Sequence, residues 1–247
     1  MQTLRIAIVS LALAAPAFAQ SDGGTEMHMD MNHMRMTSHP PAAPGDSARA
    51  AQVLATLRTA LAPYQDYHKA LADGYRIFFP KVPQPVYHFT NRAITRAGVK
   101  EFDPAHPGSL LYQKINDSTY KLVGAMYIAA KDATPDELNA RLPLSIATWH
   151  AHTNFCVPQN VFSKARWAMK DSTGQRLFGF KGSISTADAC AAANGRFLPQ
   201  VFGWMVHVYP FAPTWNEVWA TDEVPASSNG MTGMPGMKMP ATEAPHT

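Results

Sequence analysis

The chain has 247 residues, a formal net charge of +3 at pH 7 from 21 basic and 18 acidic side chains, and two cysteines. This is the scale of one ordinary domain with tails, and its scattered basic residues exclude a nucleic-acid stripe or a polybasic membrane patch. Beyond the first twenty residues no run approaches the roughly 18 apolar residues of a membrane span, so none is expected.

Residues 1 to 19, MQTLRIAIVSLALAAPAFA, combine Arg5, an apolar run from Ile6 to Ala15 and the small-x-small ending Ala17-Phe18-Ala19. The pattern predicts a cleaved secretory signal, and with it a periplasmic or secreted protein. Residues 20 to 46 and 224 to 247 are rich in Gly, Pro, Ser, Met and His and nearly devoid of aliphatic side chains. Such segments bury too little apolar surface to offset the entropy of ordering them, so both are expected to be disordered tails around a single domain, 47 to 223.

From Ser47, the residues Leu57, Leu61, Tyr64, His68, Leu71 and Tyr75 recur at steps of four and three. That spacing predicts an amphipathic helix from Asp46 or Ser47 to Asp73-Gly74, kinked at Pro63, with His68 on its apolar stripe. Strand-like runs follow at Val86 to Thr90, Ser109 to Lys114 and Tyr120 to Ala129. Thr134-Pro135-Asp136-Glu137 is a helix start with a capping box, followed by an extended run from Leu142 to Asn154. A short helix is expected from Ser185, with Asp188 in the reciprocal capping position, to Gly195, and a closing strand over Gly203 to Phe211. The mixture predicts an α+β fold in which the N-terminal helix packs on an antiparallel sheet or small β-barrel. Internal repeats, Walker loops, GxGxxG, GxSxG and HExxH are absent from the sequence, which removes the commonest enzyme classes.

The chemistry concentrates in three places. In TWHAHTNFC, alternation along a strand aims His150 and His152 at one face together with Leu144, Ile146, Thr148 and Asn154. His207 in GWMVHVYPF and His88 in VYHFTN lie in similar apolar runs. Neutral imidazole is a common metal ligand, so His150, His152 and His207 are expected ligands, with His88 or His68 as a fourth. Trp149, Phe155, Trp204 and Tyr209 would wall the pocket, and Glu217 is either an acid-base group beside it or a rim carboxylate. His106, in a proline-glycine turn, is expected to be exposed.

Second, nine of the thirteen methionines fall in the tails. Met27, Met29, Met31, Met34 and Met36 alternate with His28 and His33 at one end, and Met231, Met234, Met237 and Met239 lie at the other. Thioethers outside a core suit Cu(I), and the interspersed imidazoles suit Cu(II). Third, Cys156 and Cys190 in an exported chain favour a disulfide closing a loop of about 34 residues; the alternative is a thiolate ligand at Cys156, close to the two histidines.

The ordered segments LADGYRIFF, YHFTN, FDPAHPGSLLYQK, YKLVGAMYIA and MVHVYPF resemble a group of uncharacterised exported bacterial proteins with ADGY, DPxxPxxLxY, LVGxxY and a late histidine strand. The resemblance covers roughly residues 71 to 211 and implies a shared fold and a histidine site, with no activity attached. HxH followed by a later strand histidine is also similar to cupins, but the glutamate a cupin supplies a few residues after HxH is missing from TNFCVPQN. The leading expectation is an exported copper-binding protein, a chaperone, buffer or resistance factor exchanging copper with an envelope partner. Iron or zinc in place of copper, a histidine-ligated copper or non-haem iron oxidoreductase, and a metal-free envelope structural protein are the alternatives.

Overall fold

The computed structural model describes residues 32 to 221. The expected signal segment, Met27, His28, Met29, Met31 and the methionines from Met231 to Met239 lie outside the described residues. In chain order the elements are β1 (Met34–Met36), α1 (Asp46–Leu61), α2 (Tyr67–Ala72), β2 (Arg76–Ile77), β3 (Tyr87–Thr90), α3 (Arg92–Lys100), β4 (Ser109–Asn116), β5 (Thr119–Ile128) and α4 (Pro135–Arg141). They continue with β6 (His150–Pro158), α5 (Lys164–Trp167), α6 (Ala187–Ala192), β7 (Gly195–Gln200), β8 (Met205–Val208) and α7 (Trp215–Val218). The strands form one antiparallel sheet in the order β1, β6, β8, β5, β4, β3, β2, with β7 paired to β6. The class is α+β, as the sequence patterning predicts.

Helix α1 buries Ala50, Leu54, Leu57 and Leu61 against the sheet's main core. The single helix expected through Asp73 is interrupted: a 3-10 turn occupies Ala62–Gln65 around Pro63, because a proline ring in a helix interior clashes with the preceding turn and lacks an N–H. The chain restarts as α2, where the Asp66 carboxylate accepts from the backbone N–H of His68. Restarting turns the His68 ring out into solvent, where it pairs with Asp66 at 2.8 Å. The expected fourth ligand His68 is therefore a surface residue.

Alternation along the strands divides the interior in two. Leu110, Ala125, Tyr127, Ala151, Val206 and Val208 face the large core beneath α1. Their neighbours Leu111, Met126 and Met205 face the other way and form a second cluster with Val86 and Tyr209.

Three boundaries differ from expectation. The segment 20 to 46 is not wholly a free tail: β1 pairs with β6, Met34 opposite His152 and Met36 opposite His150, and Asp46 is buried, accepting from the Ser145 hydroxyl at 2.6 Å. The run from Leu142 to Trp149 is not strand. It turns at Pro143, whose carbonyl accepts from the N–H groups of Ile146 and Ala147, so Leu144, Ile146 and Thr148 do not share a strand face with the histidines. Helix α6 is capped by Thr186 rather than Ser185. The capping box at Thr134 and Glu137 forms as expected.

Cys156 and Cys190 are joined in a disulfide with Cα atoms 5.7 Å apart, which removes Cys156 as a thiolate ligand. A Cβ on Gly195 would lie 2.5 Å from the sulfur of Cys156 and 2.8 Å from that of Cys190; glycine is what lets β7 run over the bridge. Among the described residues no helix is long and apolar enough to cross a membrane.

Candidate functional site

The histidine face is built by strand alternation and then closed by curvature. Trp149 is fully buried in the large core, so the next residue, His150, emerges on the opposite face as β6 begins, and His152 follows it. Strand β8 flanks β6, with Met205 opposite His150, and carries His207 two residues on, opposite Met126 of β5. His88 on β3 stands opposite Leu111 of β4. Strands β4 and β5 separate β3 from β8, so in a flat sheet the backbones of His88 and His207 would be roughly 14 Å apart.

Their Nε2 atoms are 3.4 Å apart. The sheet is therefore curled, and the bend has identifiable causes. The β4/β5 register shifts between Leu111 and Tyr112, a bulge that adds local twist. At Gly124, a Cβ would come within 2.4 Å of the Val208 carbonyl oxygen, so the absent side chain is what lets β5 close on β8. Ring centroids are 5.4 Å apart for His88 and His207, 5.0 Å for His150 and His207, and 5.7 Å for His150 and His152. Four imidazoles from three strands thus meet in a chain: His88, His207, His150, His152.

His150 and His207 are each only 3% exposed, while His88 and His152 are partly open to solvent. Nδ1 of His150 and Nδ1 of His207 are sealed from water and find no hydrogen-bond partner among the described residues. A buried polar group left in this state costs about 1–3 kcal/mol. Burial pushes the His88 ring down to about 4 and the His150 ring down to about 3 from 6.5, helped by the neighbouring imidazoles. His207 is pushed well down by burial and by the other three rings, and His152 down by burial. All four are neutral at pH 7, each with one nitrogen lone pair to offer.

Because the folded-state values lie below 6.5, the unfolded chain binds more protons between about pH 6.5 and the depressed values, and stability falls as pH falls through that window. By pH 5, His150 alone removes about 2 kcal/mol from the metal-free protein. Urea midpoints measured between pH 7.5 and 5 are expected to drop steadily below pH 6.5; a flat profile would mean that these rings are not buried.

Aromatic rings wall the open end. Phe180 lies 5.2 Å from His152 and stacks on Phe202 at 6.0 Å, and Tyr209 lies 6.2 Å from His207. Of the expected wall, Tyr209 is in place and Phe155 contributes through Phe180 at 4.3 Å. Trp149 and Trp204 belong to the large core instead, since each precedes a residue of the histidine face by one.

Other expected residues fall elsewhere. Glu217 is the reciprocal capping carboxylate of α7, bonded to Thr214, and His106 is exposed and paired with Asp103. His33 is no free-arm ligand: its ring is buried and its Nε2 lies 2.7 Å from the Gly182 carbonyl oxygen, to which it donates. Sequence reasoning missed Met126 and Met205, whose signal was available as methionines in otherwise β-branched, aromatic strands.

Among the described residues no three His, Cys, Asp or Glu side chains are arranged as a ready-made metal site. Gathering the four rings on one ion would take ring rotation or donors of another kind. Two surface clefts, one lined by Met36, Thr37, Leu138 and Trp204 and one by Val99, Phe102, Glu137 and Arg141, contain none of the four histidines. No known family model, curated protein or solved structure matches this chain, so the functional reading rests on the histidine geometry itself.

Proposed function

We propose that this is an exported copper-binding protein whose folded domain holds the ion at His88, His150, His152 and His207, and whose methionine-rich flanks capture or exchange it. The observation that carries this reading is the meeting of four neutral imidazoles, drawn from residues 88 to 207, at separations down to 3.4 Å between nitrogens. Sealing polar nitrogens without partners works against folding, and such costs collect where function requires them. The partly exposed His88 and His152 give an incoming ion a first contact, and buried His150 and His207 a resting place. The disulfide suits an oxidising compartment, in which thioethers remain usable copper ligands while thiols do not. Copper delivery, buffering and resistance are all ligand exchange, with no substrate bond changed; an envelope protein that donates or accepts copper is the implied partner.

The test is metal content on the mature chain with Met27, His28, Met29, Met31, Met231, Met234, Met237 and Met239 changed to Ser, which removes these flank donors while leaving β1 intact. After exposure to copper, zinc or iron and desalting, this protein is expected to retain about one transition-metal ion per chain, copper most strongly. Adding His150→Ala and His152→Ala is expected to remove it. Equal, near-zero metal with and without these substitutions would end the reading.

A further inference from the structure

Methionine accompanies the histidines across the sheet. Met126 stands opposite His207, Met205 opposite His150, Met34 opposite His152, and Met36 opposite His150 on the other side of β6. Four of the five methionines among the described residues are therefore cross-strand partners of a site histidine. Directly paired residues of an antiparallel ladder share a face with Cβ atoms about 4.5–5.5 Å apart; Met36 lines a surface cleft with Leu138 and Trp204, whereas Met126 and Met205 lie on the histidine face, their thioethers within reach of an ion held there. Met126 and Met205 are 8% and 6% exposed and lie in one cluster with Leu111, Val86 and Tyr209. The opposite face of the same strands carries Ala125, Tyr127, Val206 and Val208. Sulfur on β5 and β8 is confined to the histidine face.

We infer that the site is a mixed imidazole and thioether centre selective for Cu(I), with Met126 and Met205 as ligands beside His150 and His207. The inference rests on the reading of the histidine cluster as a metal site. It supplies the donors that the imidazoles, as they stand, do not provide alone. Thioethers are soft, uncharged ligands that favour Cu(I), whereas Zn(II) takes imidazole, thiolate or carboxylate and gains little from a thioether. Charge points the same way. Among the described residues, the ionisable neighbours acting on His88, His150 and His207 are other imidazoles, with no carboxylate among them. A buried neutral donor set favours a monovalent over a divalent ion, because the cost of taking an ion out of water grows with the square of its charge.

The test uses the flank-silenced chain and its Met126→Leu/Met205→Leu variant, a volume-conserving exchange that cores tolerate, with Met169→Leu as control. Affinities for Cu(I) and for Zn(II) are measured by chelator competition, and sulfur scattering from bound Cu(I) by X-ray absorption. The expected result is a loss of about tenfold or more in Cu(I) affinity, the range seen when groups that support a metal centre are removed, with the sulfur signal lost and Zn(II) affinity unchanged. The unchanged Zn(II) value would show the histidine cluster intact. Unaltered Cu(I) affinity, or equal losses for both ions, would overturn the assignment while leaving a histidine metal site standing. Failure of the parent chain to bind either ion would instead remove the metal reading itself.

Discussion

His207→Leu is expected to make the metal-free protein more stable by about 1–2 kcal/mol while abolishing metal retention, because the substitution removes a sealed, unpartnered Nδ1 and one of four mutually crowded imidazoles. Leucine fills a similar volume among Met126, Leu111 and Tyr209 without requiring a hydrogen bond. It gives up the 3.4 Å contact with the Nε2 of His88, which is long and poorly matched between two rings that both need lone pairs for a metal, and an interaction with the Thr221 backbone. A side chain whose removal stabilises the fold and eliminates ligand binding is kept for its chemistry. Urea denaturation with and without copper checks both halves. A loss of more than about 1 kcal/mol in the metal-free state would show that His207 is a satisfied structural residue, and the copper account would lose its central ligand.

The second large effect concerns the disulfide. Changing Cys156 and Cys190 to Ala is expected to cost about 3–4 kcal/mol, the chain-entropy value for a loop of this length, and to lower the melting temperature by roughly 10 °C for a domain of this size. Both cysteines are fully buried with Phe178 and Ile184 in a satellite cluster, so the bridge anchors α6 and β7 to the far half of β6. The near half of β6 carries His150 and His152. Metal affinity is therefore expected to weaken along with stability. A melting temperature within about 2 °C of the parent would mean that β7 pairing alone holds this region.

Besides the α+β class and the Cys156–Cys190 pairing, the features legible in the sequence are local ones. The spacing that begins at Leu57 and Leu61 locates α1, and Pro63 breaks the expected helix where a kink is expected, because both effects act within one or two helical turns. The capping box at Thr134 likewise needs no distant partner. Strand β1 was hidden because Met34-Arg35-Met36 has little strand character of its own; its order comes from the edge of β6, over a hundred residues away. The run from Leu142 to Trp149 misled for the opposite reason: it is apolar because it plugs the large core, and burial alone does not distinguish a strand from a turn.

The site divides in the same way. Alternation put His150 and His152 on one face, and that much is strand geometry. Bringing His88 to within 3.4 Å of His207 depends on the curl across β4 and β5, set by the bulge at Leu111 and the close approach at Gly124. Nothing in the local sequence around either histidine encodes it. The pairing of Met126 with His207 and Met205 with His150 is a property of register, and register is fixed by the whole sheet.

The most direct measurement is a crystal structure of the copper-loaded protein with anomalous data at the copper edge. The account predicts a single strong peak inside the curl of the sheet, bounded by His150 and His207, with Met126 and Met205 turned toward it and His88 or His152 completing the shell. A peak confined to the methionine-rich flanks or the surface, with the four imidazoles unmoved and merely packed together, would contradict it.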